Sequence, residues 1–518
     1  MSIGEVRVDD IPVIDTEVLV VGAGPTGLMA GLVLSRRGVA PVLIDRKAGP
    51  TRESRALAVQ SRTMEIYDQL GLAENVLAGA FPATTMKIGS SITGGGPDIA
   101  AMMGAATRFP GMQIFEQSRN EQLLSETLIA EGGDVRWRHR LIDLVDKTRE
   151  PGGRVEALVE SEEDGALLRI RARWCIGADG ASSAVRRALN LPFDGTTDDA
   201  MFWVADVRDV QGAPAGAMNM RIGKTLFAIL FPLGPGGHTR FVALAPKNEI
   251  TQDEALAGLY DEFGLTHGAV DWFSTYRVHH RVAAKFRAGS VFLAGDAGYV
   301  HSPVGGQGMN TGLQDAHNLA MLIADVAQGR VKPQALDRYE HERRPVALKL
   351  VNVTDRAFGL IGRRTFSARL VRKFIGGPGG KHVVPLISKT KAASFLGGLL
   401  GQYRIHYHFT DDKNVPAWAE DSAVGRRVPP VGDNQQALRS MTWQLHSYGA
   451  SEVTRPNVPD WVMGPIAFGA DPQGQLRADR LYLIRPDEFV AASIPLQGKT
   501  VDADQLRSAI DAHLLVTD

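Results

Sequence analysis

Gly22, Gly24 and Gly27 stand in GxGxxG spacing, directly after the apolar run TEVLVV and directly before a helical pattern, and Asp45 closes the next apolar run. The chemistry of that arrangement is dinucleotide binding. The first glycine permits a tight turn, the second lets the backbone approach a pyrophosphate, and the third lets helix pack on strand. Amides at the helix start attract the phosphate charge, and Asp45 would accept hydrogen bonds from ribose hydroxyls. The motif alone does not separate a nicotinamide nucleotide from FAD; two later segments do. GADGASSAVR sets Asp179 and Gly180 in a turn before a helix, and AGDAGYVHSPVGGQGMNTG sets Asp296 at a strand end with Pro303, Gly305, Gly306 and Gly308 leading into a helix. A flavin needs a carboxylate for its ribityl chain, a second pyrophosphate anchor, and bare backbone at the isoalloxazine face, where side chains would block oxygen. These residue types supply all three.

The elements that must position these residues read as an α/β protein. VLVVGAGPTGLMAGLVLSRRGVAPVLID is a strand-helix-strand unit, Phe115 to Gly133 a helix, VRWRHRLIDLVDK a strand, and VEALVE and ALLRIRARWCIG two more. Residues 200–290 are spaced as an antiparallel sheet with Gly/Pro turns, and a long helix begins in the glycine-rich stretch and is followed by more helix to about Ser367. Gly and Pro interrupt both periodicities at 374–382 and 424–434, the two linker candidates, and the last ninety or so residues look separate. The chain's 518 residues allow several domains, and a net charge of −1 from 57 Lys+Arg and 58 Asp+Glu gives no global field for nucleic acid or an anionic membrane. The single cysteine, Cys175, excludes an internal disulfide, a multi-cysteine metal site and a redox pair. No run of apolar residues is long enough to span a membrane, so cytoplasmic residence is expected.

The ordered motifs resemble those of the single-component (group A) FAD-dependent aromatic hydroxylases typified by p-hydroxybenzoate hydroxylase, nearest the phenol, chlorophenol and polyketide hydroxylase branch. The resemblance implies a Rossmann-type FAD domain (1–78, 110–195, 285–372), an inserted β-sheet substrate domain (79–109, 196–284), a helical connector (373–424) and a thioredoxin-like C-terminal domain (425–518). It implies that Gly22, Gly24 and Gly27 meet the pyrophosphate and Asp45 with Arg46 the adenosine side, while Arg55 and Gln117 reach the flavin or its phosphates. Asp179 and Asp296 match the aspartates of the family's DG and GD motifs. Pro303 would sit over the reacting face, with Gly306, Gly308, Met309 and Asn310 beside the ring. Relatives often carry Ala-His where this chain has Gly298-Tyr299; His301 lies two positions on. The C-terminal LIRPDEFVA is similar to the tail of the same branch, although one cysteine permits no thiol exchange.

The implied reaction uses NADPH or NADH as a transient co-substrate and O2, and a flavin hydroperoxide hydroxylates a phenolic or polycyclic, polyketide-type aromatic. Arg52, Arg221 and Pro303 are the candidate catalytic residues, and Trp203, Phe227 and Phe231 the candidate ring contacts. Alternation in MNMRIG puts Asn219 and Arg221 on one face and Met218, Met220 and Ile222 on the other, without telling which looks at the pocket. His279 and His280 lack a third ligand, so no metal site is expected. No nucleic-acid or membrane partner is expected, and the chain would act as a monomer or homodimer. Two other readings stay open: Baeyer-Villiger oxygenation of a polyketide-type ketone, separable by NMR of the product, and a non-catalytic binding protein on the same scaffold, which would purify colourless.

Overall fold

A computed structural model of the chain describes residues 10–52, 56–89, 96–214, 217–223, 226–245, 249–302, 306–361, 390–409, 415–450 and 452–517. The strand Val13–Val21 ends in four fully buried residues, as a Val/Leu run at the centre of a parallel sheet should. Pro41–Asp45 and Leu167–Gly177 flank it in parallel, and the sheet continues to Asp134–Trp137 on one side and Val291–Leu293 on the other. Leu167–Gly177 also edges an antiparallel meander with Val155–Ser161 and His139–Asp146. The segment expected as one strand, VRWRHRLIDLVDK, is therefore two. Arg138 takes a left-handed φ of 58° and its amide donates to the Lys47 carbonyl at 2.8 Å, which ends the parallel strand and redirects the chain into the meander.

Helix Pro25–Arg36 starts with proline in its first turn, where a missing N–H costs nothing, and buries Leu28, Met29, Leu32 and Val33. It packs against helix Gly308–Ala327, in which every residue from Asn310 to Val326 is buried. A helix buried on all sides needs cover from two directions. Here the outer cover comes from helix Ser61–Gln69, through His317 to Gln69, and from the C-terminal residues Gln402 and Asp487, bonded to Gln314 and Asn318.

The second sheet has the order Tyr299–Val300, Val270–Ala283, Phe193–Val207, Thr239–Leu244, Phe227–Pro232, Met218–Ile222, Met86–Gly89. Cross-strand register gives it two distinct faces. Trp203, Ala205, Leu230 and Ala243 lie under helix Gln252–Phe263, which a Thr251–Glu254 capping box begins and left-handed Gly264 ends. Met218, Ile222, Phe227 and Ile229 lie on the other face, against Leu57 and Ala58 of the first unit.

A third sheet, Met463–Phe468, Gln444–Tyr448, Arg480–Ile484, Val490–Gln497 and Thr500–Val501, carries helix Ala503–Ala512. Among the described residues its strands pair with none of the other sheets, yet its apolar core is continuous with that of the first sheet. The last ninety residues are thus a separate sheet but not a separate core. Buried polar contacts join them to the rest: Arg485 forks onto Glu342 at 2.6 and 2.9 Å, and Trp443 donates to Asp325 at 2.8 Å. The linker candidate 374–382 lies outside the described residues; 424–434 is described and largely buried.

Candidate functional site

The glycine turn is built as its spacing demands. Gly22 has φ +103°, and a Cβ there would come to 2.4 Å from the Ala178 carbonyl oxygen; one on Gly27 would meet the Gly22 carbonyl at 1.8 Å. In front of Gly24 there is open space, the nearest atom being Glu121 Oε1 at 3.9 Å. The helix that starts beside it has no side-chain cap, which leaves that end free to receive an anion. Asp45 fastens the turn: Oδ2 accepts from the Ala23 amide at 2.7 Å and Oδ1 from the Lys47 amide at 2.8 Å.

The Gly22–Ala178 contact brings the second motif against the first. Asp179 Oδ2 accepts from the amides of Ala184 and Val185 at 2.6 and 3.2 Å, so the carboxylate organises the start of the following helix. Its Oδ1 is buried with no partner, and burial raises the pKa above the ordinary aspartate range. The third motif arrives through Thr26. A Cβ on Gly295 would lie 2.7 Å from Thr26 Oγ1, and one on Gly312 would lie 2.5 Å from the same atom. The second motif therefore touches the first at Gly22 and the third touches it at Thr26, with no room for a Cβ on Gly295 or Gly312 unless Thr26 shifts.

Asp296 stands at the end of strand Val291–Leu293 with its carboxylate open to solvent and, among the described residues, no hydrogen-bond partner. Protein closing round the loop on its other sides, with Asp315 adding to the effect, pushes its pKa up to about 6. Behind the loop, Asp315 accepts from the Gly295 amide at 3.2 Å, from Tyr299 OH at 2.8 Å and from Arg343 Nε at 2.6 Å. Arg343 also donates to the Thr311 carbonyl and Tyr407 OH. This buried cluster sets the turn that carries Asp296.

The loop before helix Gly308–Ala327 meets the segment after Arg55. Gly306 has φ +62°, and a Cβ there would lie 3.0 Å from Ala58 Cβ. Asn310 Nδ2 donates to the carbonyls of Ala58 and Gly306 at 2.7 and 2.9 Å, and its Oδ1 accepts from the Gln60 amide at 2.8 Å. Asn310 is fully buried and binds two chain segments together. Met309 packs on the first core, and Gly308 faces His301, whose Nε2 would be 3.2 Å from a Cβ there. His301 Nδ1 bonds the Ser302 carbonyl at 2.6 Å; a carbonyl only accepts, so Nδ1 carries the proton and Nε2 is left as an acceptor. Burial lowers the pKa to about 4, which keeps the ring neutral at physiological pH. Arg55 and Pro303 lie outside the described residues.

Gln117 donates to Glu121 at 3.0 Å, and Glu121 also accepts from Lys47 Nζ at 3.1 Å and the Thr51 amide at 2.7 Å. Glu121 is almost fully buried and ties the turn after Asp45 to the helix beneath it. Arg46 is exposed. Arg52 is also exposed, in a surface groove with Arg119, Gln122 and Trp137, none of which belongs to the second sheet.

The sheet face towards Leu57 and Ala58 answers the alternation question. Met220 opposes Ile229, Ile229 opposes Val242, and Phe202 opposes Leu244 and Tyr276. Met220, Phe231, Val242 and Tyr276 on that face are only half-buried, so an apolar wall stands partly uncovered. At one end Arg240 grips Asp206 through Nε at 2.6 Å and Nη2 at 2.5 Å and reaches Glu116 at 3.4 Å, so this cation is already neutralised. Arg221 is on the opposite face, next to Ala228, donating to the Gly212 carbonyl at 2.9 Å. Burial without a carboxylate partner lowers its pKa. The expectation that Arg221 binds substrate is corrected on this ground: residue parity points it under the layer that includes Trp203, which likewise packs beneath helix Gln252–Phe263 and not on the wall. Phe227, which is buried, and half-buried Phe231 are on the wall side. Among the described residues no group of three potential ligands forms a metal site.

Reading motifs alone does not find Glu121, Asp315, Arg343, Thr26 or the Arg240–Asp206 pair. A usable signal existed for one of them: Asp315 is a charge inside an apolar helical stretch, where a buried charge requires a partner.

Comparison with known proteins agrees with this geometry. The FAD binding domain family model matches residues 15–354. The 6-methylpretetramide 4-monooxygenase of Streptomyces rimosus is 31% identical over 97% of this chain and 94% of its own length. Pentachlorophenol 4-monooxygenase of Sphingobium chlorophenolicum is 34% identical over 66% of this chain and 64% of its own. Among solved structures, the OxyS anhydrotetracycline hydroxylase from Streptomyces rimosus superposes with a TM-score of 0.75 at 26% identity, covering 97% of this chain and 99% of that one. A GxGxxG turn, a DG turn and a GD turn meeting at Gly22 and Thr26, within the span of that family model, make this chain a member of the FAD-binding family of group A flavoprotein aromatic hydroxylases, an FAD-dependent monooxygenase.

Proposed function

We propose that this enzyme hydroxylates a phenolic or polycyclic aromatic of polyketide type, with NADPH or NADH as reductant and O2 as oxidant. The observation that carries the reading is that the Gly306 turn abuts Ala58, which packs in one apolar cluster with Met220 and Phe231 of the partly uncovered sheet face. The relatives' names point the same way, towards tetracyclic polyketides and a chlorinated phenol. FAD would lie with its pyrophosphate at Gly22, Gly24 and Gly27, its adenosine towards Asp45 and Arg46, its ribityl chain at Asp296 and its ring at Gly306, Gly308, Met309 and Asn310. The unpartnered Asp296 carboxylate, the open space before Gly24 and the cradle at Gly306 fit that group. When bound and reduced, it would activate O2 for transfer of one oxygen atom to the ring.

The protein's own part is positioning and exclusion of water. The apolar wall would hold the ring system by burial of its faces, and neutral His301 offers Nε2 as a hydrogen-bond acceptor beside the Gly308 turn. The domain layout drawn from sequence is carried into this reading: residues 1–78, 110–195 and 285–372 for FAD, 79–109 and 196–284 for substrate, 373–424 as connector and 425–518 as a thioredoxin-like tail. Among the described residues no helix is long and apolar enough to cross a membrane, and we place the reaction in the cytoplasm. The test is anaerobic reduction by NADPH or NADH across a panel of naphthols, anthraquinones and phenols. At least one compound should accelerate bleaching of the flavin; a panel without any acceleration contradicts the substrate class.

A further inference from the structure

The turn Leu400–Gln402 lies beyond the region the family model matches, which ends at residue 354, yet it is wedged between two elements that frame the cofactor loop. The Arg62 amide donates to the Gly401 carbonyl at 2.9 Å, at the start of the helix that follows Ala58–Gln60. Gln307, the residue after Gly306, donates from Nε2 to the Leu400 carbonyl at 3.1 Å. Gln402 returns the contact: Nε2 donates to Thr311 Oγ1 at 2.8 Å and, more weakly, to the Gln307 carbonyl at 3.5 Å, while Oε1 accepts from Gln314 Nε2 at 2.5 Å. Gln402 is buried and holds a left-handed φ of 58°, a conformation that a non-glycine residue keeps only where its side chain or surroundings impose it. A glycine would take this backbone without strain. What glutamine adds is a side chain joined to three residues in the first turns of helix Gly308–Ala327.

We propose that Gln402 is a positioning residue for the Gly306–Asn310 loop, fixing where the helix start presents its amides to the flavin. The proposal rests on the FAD reading above and extends it to the connector. Gln402→Gly separates a fold role from a positioning role, because it relieves the backbone while deleting every side-chain bond. Apo-protein is prepared, and Tm, the FAD dissociation constant by flavin fluorescence and the visible circular dichroism of bound flavin are measured. The expected result is a Tm within a few degrees of the unsubstituted protein's, since relief of the left-handed backbone offsets part of the lost buried hydrogen bonds, with FAD binding about tenfold weaker and an altered flavin dichroism. Gln402→Glu keeps an acceptor for Gln314 but loses both donations and buries a charge, and should weaken FAD binding at least as much. Unchanged FAD affinity and dichroism in Gln402→Gly overturns the proposal, as does a drop in Tm that parallels the loss of FAD. If the unsubstituted protein itself fails to bind FAD, the FAD reading falls instead, so the two failures are distinguishable.

Discussion

Replacing Asp296 with asparagine should move stability and cofactor affinity in opposite directions. In the absence of FAD the carboxylate has no hydrogen-bond partner among the described residues, and its pKa is pushed up to about 6 from 3.8. An acid whose pKa is raised on folding destabilises the folded state once ionised, so apo-protein stability falls as pH rises from about 4 to 6 and stays low above that. Two units correspond to at most about 3 kcal/mol, and solvent access to the side chain reduces this to about 1 kcal/mol. For a chain of this size that is about 1 °C in Tm. Asp296→Asn removes the term, so at pH 7.5 the apo variant should melt about 1 °C higher than the unsubstituted protein, and at pH 4 no higher. With FAD present the sign reverses. A carboxylate bonded to ribityl hydroxyls contributes about 1.5–3 kcal/mol over a neutral or absent partner, so the dissociation constant should rise roughly 10- to 150-fold. Differential scanning fluorimetry across pH and fluorescence titration of apo-protein with FAD measure the two effects. Unchanged FAD affinity would falsify the placement of Asp296 at the cofactor, and a lower apo Tm at pH 7.5 would refute the desolvation argument.

Gly312→Ala should push Thr26 and cost about 1–3 kcal/mol, visible as reduced FAD retention on gel filtration, and Thr26→Ala in the same chain should restore most of it because Oγ1 is the atom 2.5 Å away. Additive losses in the double variant would mean that the two positions do not touch. Arg343→Met leaves Asp315 buried without its cation and should cost about 3–5 kcal/mol, read as a Tm several degrees lower; an unchanged Tm counts against the buried pair as the support of the Asp296 turn. Arg221→Met should leave the dissociation constant for an aromatic ligand unchanged, whereas Phe231→Ala should weaken it about tenfold with FAD content intact, since only the second residue is on the uncovered wall. A loss of ligand affinity in Arg221→Met would return that residue to the substrate site.

The glycine turns were legible in the sequence because each imposes a steric requirement that no other residue meets, and their order along the chain carries the topology. Gly22 against Ala178, and Gly27 against Gly22, are such cases. Strand parity was also legible, but its direction was not: MNMRIG separates Arg221 from Met220, and only the pairing of Met218–Ile222 with neighbouring strands fixes which face looks at Ala58. The break at Arg138 depends on a hydrogen bond to Lys47, ninety-one positions earlier, and no local pattern carries that. Charged residues inside the core were the largest omission. Asp315, Arg343 and Glu121 sit in segments that read as ordinary helix, Asp487 sits in a turn, and each has a partner from a distant element, so their roles exist only once the chain is folded. The apparent separateness of the C-terminal ninety residues has the same origin. Composition shows their own sheet, while the contacts of Asp487 and Trp443 that merge the cores are long-range.

A structure determined with FAD bound tests the convergence of these turns most directly. Density should run continuously from Asp45 past Gly24 and Asp179 to Asp296, ending with the ring against Gly306 and the wall of Phe231 and Val242. Density confined to the groove of Arg52 and Trp137, or a ring more than one residue's reach from Gly306, would contradict the assignment.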